Sequence, residues 1–357
     1  MEEVKKNMPY VNLGRSGLKV SILSYGSSLT FATKDGAQEQ ANALVKHAWD
    51  SGINFFDTAE AYHDGNAEKV LGVALQALNV PRSDYVVSTK IFWGKFDENT
   101  TAINNRGTSR KRLQEGLTAS LKRLQLDYAD VVFCHRYDFH TPTIEVVQAM
   151  KDLIASGKVL YWGTSAWPAD RVMEAILLSD IVGCPRPIAE QCEYSMLVRE
   201  HVEKRYISLF DDYGYGTTIW SPLKGGLLSG KYNDGIPEGT RYHNYKRYYD
   251  RLTKNGGLFS EEKKEETFKL FKDLAEIAKR IGCTQAQLAV AWTLKCKDVT
   301  NCILGAKTLE QLSDNLGAVL VVDKITEEIS EEIEGLLNNR PEAYVDYQTY
   351  LPLPNRR

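Results

Sequence analysis

The chain has 357 residues, of which 43% are hydrophobic and 25% are charged, a balance typical of globular proteins. Its formal net charge of −3 gives no electrostatic basis for binding nucleic acid. No apolar run approaches the roughly 18 residues needed to cross a bilayer, and the first segment, MEEVKKNMPYVNLG, lacks the pattern of a signal peptide. We therefore expect a cytoplasmic protein with neither a nucleic-acid partner nor direct membrane insertion.

The cysteines and histidines give no support for a metal site. The six cysteines form no C-x-x-C pair, and the six histidines form no H-E-x-x-H motif. Cysteines spread this thinly through a long chain are typical of buried free thiols in a reducing compartment.

The first predicted elements are a β-hairpin and the start of an alternation between strands and helices. Residues 10–26, YVNLGRSGLKVSILSYG, contain a Gly-Arg-Ser-Gly turn between two extended runs and end in a strand near Tyr25. A helix over 37–51 ends before Gly52, a plausible cap. The next predicted elements are a strand over 53–56, a helix over 67–78 and a strand over 84–90.

The alternation continues through the rest of the chain. Further predicted strands lie at 128–134, 159–164, 188–191, 217–220 and 301–304, and further predicted helices at 109–124, 143–155, 260–281, 284–295 and 309–316. Apolar strands separated by helices favour parallel pairing through crossovers, and about eight such units close a (β/α)₈ barrel. No linker divides the series, so we predict one domain over 1–357, with the barrel core at about 9–338 and a tail over 339–357.

The alternative fold is a doubly wound sheet. It would require a G-x-G-x-x-G turn directly after the first strand, where the sequence has YGSSLT. The nearest glycine cluster, Gly214-Tyr-Gly, precedes a predicted strand. The barrel is therefore favoured.

Polar residues that end barrel strands are candidates for catalysis, because active sites lie at that end of the barrel. Asp57, Lys90 and His135 end the second, third and fourth strands, and Tyr62 lies on the loop after Asp57. A nearby ammonium would lower the pKa of a phenol from about 10 and let it protonate a developing alkoxide. Asp57 would orient Lys90, and His135 would orient a carbonyl oxygen. Hydride would have to come from a nicotinamide cofactor.

Each of these residues, taken singly, also fits a structural role such as a helix cap or a solvated strand end. Their joint occurrence on successive strand ends carries the prediction. The surrounding motifs make the case more specific: NLGRSGLKVS, GINFFDTAEAYHDGNAEKVLG, VVSTKIFWG, SLKRLQLDYADVVFCHRYD, GKVLYWGTSAW, EQCEYSM, WSPLKGGLLSGKY and ILGAKTLEQLSDNLGA. From about residue 10 to about 337 the chain resembles the aldo-keto reductase superfamily, and within it the branch of voltage-gated potassium-channel β subunits.

The resemblance implies roles for individual residues. The catalytic tetrad would be Asp57, Tyr62, Lys90 and His135, with Tyr62 as the acid. Hydrogen bonds to the nicotinamide carboxamide would come from Ser165 and Gln191, and Trp220 would stack on the nicotinamide ring.

The remaining implied contacts also concern the cofactor. The stretch along the pyrophosphate would comprise Ser221, Pro222, Leu223, Gly225, Ser229 and Lys231. Residues near the 2′-phosphate would be Arg241, Lys307 and Gln311, and the other expected contacts are Gly305 and, at the adenine, Asp314 and Asn315. Basic residues near a phosphate favour NADPH over NADH.

Two departures from the family pattern bear on function. Channel β subunits have Asn at the position of His135, where most reductases have His; Ala166 stands where other members have Asn or Arg. We therefore expect NADPH-dependent reduction of a small-molecule aldehyde or ketone to an alcohol. The alternative is a cofactor-binding auxiliary subunit of a potassium channel with slow or vestigial turnover. The resemblance also implies a homo-tetramer and a channel partner.

Three further segments carry weaker signals. RYHNYKRYYDRLTK, residues 241–254, mixes basic residues with tyrosines and superficially suggests binding of single-stranded nucleic acid; we interpret it instead as a flexible loop that folds over the cofactor. The polar insert at 97–108 is expected to border the substrate entrance with Trp93 and Tyr137. The tail from Tyr344 is interpreted as extended or as an intersubunit arm.

Overall fold

The computed structural model describes residues 1–28, 37–94, 103–254 and 256–345. Its strands are β1 (Tyr10–Asn12), β2 (Lys19–Ser21), β3 (Leu23–Gly26), β4 (Phe55–Asp57), β5 (Val86–Ile91), β6 (Ala129–Cys134), β7 (Val159–Ser165), β8 (Ala189–Gln191), β9 (Gly216–Ile219) and β10 (Asn301–Leu304). Its α-helices are α1 (Glu2–Lys6), α2 (Ala37–Asp50), α3 (Asn66–Ala77), α4 (Arg110–Leu124), α5 (Thr143–Ala155), α6 (Ala169–Val182), α7 (Ile207–Tyr213), α8 (Arg241–Asn244), α9 (Lys246–Thr253), α10 (Lys264–Arg280), α11 (Gln285–Lys295), α12 (Leu309–Leu316) and α13 (Glu327–Leu337).

Strands β3 to β10 form a closed barrel in which every strand pairs in parallel with its neighbours along the chain. The barrel closes where β10 pairs with β3, and Cys302 lies opposite Leu23 there. Asn301 reinforces this seam, since its Nδ2 donates to the Ser21 carbonyl at 2.8 Å and its Oδ1 accepts from Ser24 Oγ at 2.7 Å. The predicted (β/α)₈ barrel is confirmed, and the doubly wound alternative is wrong.

The outer helices form because their apolar residues recur on one face. In α4 the residues Leu113, Leu117, Leu121 and Leu124 are buried, at the spacing that lines one side of a helix. Ser109 caps the start by accepting a hydrogen bond from the Arg112 amide, which satisfies one of the free amides of the first turn.

The hairpin β1–β2 closes the amino-terminal end of the barrel. Val11 pairs with Val20 across the hairpin. Val20 and the adjoining Leu13 join a buried cluster that includes Phe55 and Phe133. Because side chains alternate between the two faces of a strand, Phe55 shares the inner face with Asp57. The barrel interior is therefore filled at this end, and a ligand has to enter from the other.

Several sequence-based expectations need correction. Residues 241–253, interpreted as a flexible loop, form the short helices α8 and α9, and α1 at the start of the chain was not predicted. The cysteines are free, but only four are buried, and Cys283 and Cys296 are half-buried. Part of the 97–108 insert and the tail beyond residue 345 lie outside the described residues.

Within the described residues, no helix has both the length and the apolar character required to span a bilayer.

Candidate active site

The candidate catalytic side chains lie at the carboxyl ends of neighbouring barrel strands. Asp57 is the last residue of β4, Lys90 lies near the end of β5, and His135 directly follows β6. All three are buried, with Lys90 fully so. The alternation of side chains along each strand directs them to the barrel interior above the apolar cluster.

Asp57 and Lys90 form a buried ion pair. Lys90 Nζ lies 2.6 Å from Asp57 Oδ2 and donates a second hydrogen bond, also 2.6 Å, to the Thr58 carbonyl. Asp57 Oδ1 accepts from Ser88 Oγ at 2.6 Å. Burial is the largest single effect and lowers the pKa of Lys90, but the charges and hydrogen bonds of Asp57 and Tyr62 together outweigh it, and the net pKa is raised. The ammonium therefore stays charged at neutral pH.

Tyr62 lies beside this pair. It is half-buried, and Lys90 Nζ is 4.8 Å from the centroid of its ring. Burial raises the pKa of Tyr62, and the charge of Lys90 opposes that rise without overcoming it. The expectation that the pKa falls below its ordinary value is therefore wrong. The phenol keeps its proton at neutral pH, next to a cation that can stabilise its anion.

His135 completes the group. Its ring centroid lies 6.0 Å from that of Tyr62 at an interplanar angle of 84° and 6.3 Å from that of Trp93. Burial, followed by the charges of Lys90 and Arg136, lowers the pKa of His135 well below its ordinary value. The imidazole is therefore neutral, and within the described residues its Nδ1 has no hydrogen-bond partner.

Two of the predicted nicotinamide-binding residues are linked to Asp57, Gln191 directly and Ser165 through Gln191. Gln191, at the end of β8, donates from Nε2 to Asp57 Oδ1 at 3.1 Å. Ser165, at the end of β7, donates from Oγ to the Gln191 carbonyl at 2.9 Å. Trp220 follows β9, where its amide donates to the Cys192 carbonyl at 2.9 Å. The three residues thus end consecutive strands on the side of the barrel facing Asp57.

The predicted pyrophosphate stretch is a tight turn after Trp220. Ser221 has a φ of 59°, and Gly225 has a φ of 66° within a 3-10 helix over Lys224–Ser229. A Cβ on Gly225 would lie 2.6 Å from the hydroxyl of Tyr242 in α8, so this position requires glycine. Among the other predicted contacts, Pro222 is buried, Leu223 is half-buried, and Ser229 Oγ donates to the Gly226 carbonyl at 2.7 Å.

Three predicted phosphate-binding cations lie close to one another. Partial burial lowers the pKa of Lys231, and the positive charges of Lys307 and Arg241 lower it further. Gln311 Oε1 accepts from the Lys307 amide at 2.9 Å. Among the charges of the described residues that act on Lys231, none is a carboxylate. The arrangement concentrates positive charge next to the start of α12.

The remaining predicted cofactor residues lie on and before α12. Gly305 is exposed between β10 and α12, and Asn315 is buried. Asp314 Oδ1 accepts from Thr284 Oγ1 at 2.9 Å, so this carboxylate also links α12 to the start of α11. Ala166, after Ser165, has a φ of 52°, a conformation that Asn adopts more readily than Ala.

Sequence reasoning missed Glu60. Its Oε1 accepts from the amides of Phe92 and Gly94 at 2.8 and 3.0 Å, and its Oε2 pairs with Arg112 in a buried contact. Glu60 therefore fixes the segment that carries Trp93 next to the loop that carries Tyr62. The signal for it was a charged residue within FDTAEAY, two positions before Tyr62.

Sequence reasoning also missed Arg136 and Glu190. Arg136 follows His135 and donates from Nη1 to its carbonyl at 2.6 Å. Glu190 precedes Gln191 on the opposite face of β8, and its Oε2 accepts from Thr164 Oγ1 at 2.5 Å. Burial raises the pKa of Glu190 to about 8, against opposing hydrogen bonds from Thr164 and from the amides of Ala166 and Trp167.

Comparison with known proteins agrees with this geometry. The chain is 45% identical over 336 residues to a putative voltage-gated potassium channel subunit beta of Schizosaccharomyces pombe (strain 972 / ATCC 24843), an alignment that covers 94% of this chain and 95% of the relative. The model of the aldo/keto reductase family matches residues 23–338, which includes every barrel strand. The chain therefore belongs to the aldo/keto reductase family.

Proposed function

We propose that the protein reduces an aldehyde or ketone to an alcohol with NADPH, and that Tyr62 is the general acid. The observation that carries the proposal is the protonated phenol of Tyr62 beside the buried Asp57–Lys90 ion pair. NADPH, when bound, supplies the hydride that adds to the carbonyl carbon. The other steps belong to side chains of this chain.

Tyr62 donates its proton to the carbonyl oxygen as that oxygen gains negative charge, and the C=O bond becomes C–OH. Lys90 stabilises the tyrosinate that remains, because a cation held at 4.8 Å from the ring favours the anion. Asp57 keeps Lys90 charged and fixed in position. Water then returns a proton to Tyr62, which restores the starting state.

His135 orients the substrate. As a neutral imidazole it carries one N–H that can donate to the carbonyl oxygen, next to the Tyr62 hydroxyl. A donor held in place before the reaction stabilises charge as it develops on that oxygen. Two donors converging on one oxygen would fix the face of the carbonyl that is reduced.

The fit of NADPH is supported by the cations near α12. Burial and then the positive charges of Lys307 and Arg241 lower the pKa of Lys231, so these three cations repel one another. A 2′-phosphate dianion would relieve that repulsion and pair with them. The turn at Gly225 and the side chains of Ser165, Gln191 and Trp220 would hold the pyrophosphate and nicotinamide.

The test is NADPH oxidation at 340 nm with a panel of aromatic and aliphatic aldehydes, comparing wild type with Tyr62→Phe. Loss of a general acid costs about 10²- to 10⁴-fold in turnover. The Tyr62→Phe variant should still bind NADPH, as measured by the quenching of tryptophan fluorescence. Tyr10→Phe, which removes a hydroxyl bonded to the Gly52 carbonyl, is the matched control and should keep full turnover. Undiminished turnover in Tyr62→Phe would reject Tyr62 as the acid.

A second candidate function is an auxiliary subunit of a potassium channel, because the relative at 45% identity is described as a potassium channel β subunit. The two functions differ in measurable ways. A protein that binds NADPH, reduces nothing on the aldehyde panel and co-purifies with a channel would be the auxiliary subunit. His135 favours the reductase, since channel β subunits have Asn there.

We further propose that the chain acts in the cytoplasm as a single barrel domain and assembles as a homo-tetramer. Static light scattering on the purified protein tests the assembly. A mass four times that of one chain supports the tetramer, and a monomeric or dimeric mass rejects it.

A further inference from the structure

We propose that the carbonyl substrate carries a carboxylate, and that Arg136 binds it at the entrance of the active site. The inference deepens the reductase function proposed above and depends on it. It names a chemical class of substrate and the residue that selects it.

The position of Arg136 is the first argument. Its guanidinium carbon lies 6.0 Å from the centroid of the Trp93 ring, and Trp93 in turn lies 6.3 Å from His135. The charge of Arg136 is close enough to lower the pKa of both Tyr62 and His135. The guanidinium therefore borders the same space as the two side chains proposed to contact the carbonyl oxygen.

The charge balance of Arg136 is the second argument. It is half-buried, and its hydrogen bond goes to the neutral carbonyl of His135. Within the described residues it forms no ion pair. Glu190 is the carboxyl whose charge acts on it, but with a pKa of about 8 Glu190 is mostly protonated at neutral pH. The positive charge at this site therefore lacks a full counter-charge.

A comparison with the other arginines shows that a half-buried arginine without a carboxylate partner is uncommon among the described residues. In the described part of the chain, the buried or half-buried arginines that pair with a carboxylate are Arg82, Arg110, Arg112, Arg123, Arg171 and Arg199. Arg136 and Arg241 are the two that do not. Arg241 belongs to the proposed phosphate site, where a ligand would supply the missing negative charge. The same reasoning applied to Arg136 points to an anionic ligand in the substrate space.

Chemistry favours a carboxylate as that ligand. A partly desolvated guanidinium without a counter-ion is destabilising, and its planar fork matches a carboxylate with two parallel hydrogen bonds. Trp93 offers an aromatic surface between Arg136 and His135, on which the organic part of the substrate can pack.

The experiment compares 3- and 4-carboxybenzaldehyde with their methyl esters, which keep the shape and the aldehyde but lose the charge. A hydrogen bond to a charged group changes affinity by about tenfold to a hundredfold, so kcat/KM of wild type should favour the acid by that factor. In Arg136→Gln the ratio of acid to ester should fall to near one. Arg136→Lys, which keeps the charge without the fork, should give an intermediate ratio.

Arg186→Gln is the matched control, because Arg186 pairs with Asp180 on the exposed surface and should leave the ratio unchanged. A wild type that reduces acid and ester equally well overturns the carboxylate proposal while the reductase stands. A ratio that survives in Arg136→Gln also overturns it, by assigning the selection to another residue. If the wild type oxidises NADPH with neither of these compounds nor with any other aldehyde of the panel, the proposed reductase function itself is rejected.

Discussion

Two buried carboxyl groups near the carboxyl ends of barrel strands differ in the partners that surround them. Asp57 lies 2.6 Å from an ammonium and accepts further hydrogen bonds from Ser88 and Gln191. Glu190 is equally buried but has hydroxyl and amide partners in place of a close cation. Burial without a paired cation favours the neutral acid. Glu190, on the opposite face of β8 from Gln191, is therefore mostly protonated at neutral pH.

The raised pKa of Glu190 predicts a pH-dependent stability. The unfolded chain loses this proton above about 4.5, whereas the folded chain holds it to about 8. The stabilising contribution is therefore fully present below pH 4.5 and is lost as pH rises towards 8, at about 1.4 kcal/mol per pH unit. The side chain in Glu190→Gln stays neutral at every pH. The Tm of this variant relative to that of wild type should therefore be higher at pH 8.5 than at pH 5.

Thermal unfolding followed by circular dichroism at these two pH values measures the effect. Glu310→Gln is the control, since Glu310 is exposed on α12 and should track wild type. A Tm difference for Glu190→Gln that is the same at both pH values would show that Glu190 is ionised in the folded protein.

At the scale of elements, the sequence predicted strands and amphipathic helices better than short helices that lack an apolar face. The boundaries of β10 and of α5 and α12 match the prediction, because each is an apolar run or a periodic apolar face bounded by polar residues. Helices α8 and α9 were missed because in α9 only Leu252 is buried. A segment of charged and tyrosine residues with almost no apolar face gives no helical periodicity to detect.

The ion pair between Glu60 and Arg112 joins the loop after β4, the end of β5 and helix α4. Removing one partner of a buried pair leaves the other charge uncompensated and costs about 3–5 kcal/mol. Glu60→Gln and Arg112→Met should each lower the free energy of unfolding by about that amount. The double variant should lose less than the sum, because no charge is left unpaired.

Urea denaturation of the two single variants and the double variant gives the coupling energy. Arg110→Met is the control: Arg110 lies on the same helix as Arg112 and forms a more exposed pair with Asp152 of α5, so its loss should cost about 1 kcal/mol or less. Additive losses for Glu60 and Arg112 would show that the two side chains stabilise the fold independently.

The sequence could predict which strand ends carry chemistry, but not the contacts between distant segments. Asp57 and Lys90 end adjacent strands, so their proximity followed from the barrel alone. The contacts of Glu60 with Phe92 and Arg112 depend on how two loops fold over the barrel end. The lack of a carboxylate partner for Arg136 among the described residues depends on what surrounds it in three dimensions, which no local pattern encodes.

At the scale of the whole molecule, the proposed cofactor residues come from segments that are far apart along the chain. Ser165 ends β7, Trp220 follows β9, and Lys307 follows β10. A ligand that binds all three stabilises only the folded barrel, by about 2.7 kcal/mol at a concentration of a hundred times Kd. We therefore expect NADPH to raise Tm, and NADH at equal concentration to raise it much less.

Differential scanning fluorimetry with each nucleotide makes this comparison. In the Lys307→Met variant the difference between the Tm increases caused by NADPH and by NADH should be smaller, because one of the cations proposed to face the 2′-phosphate is removed. Equal stabilisation of wild type by NADH and NADPH would reject the preference for the phosphate.

The seam between β10 and β3 has a consequence for synthesis of the protein. Leu23 and Cys302 pair across it, so β3 cannot pair with β10 until residues 301–304 have left the ribosome. Until then β3 and β9 each expose an unpaired edge, the kind of surface on which strands of other chains add. Barrel closure is therefore expected only after β10 has left the ribosome, and the nascent chain exposes both strand edges until then.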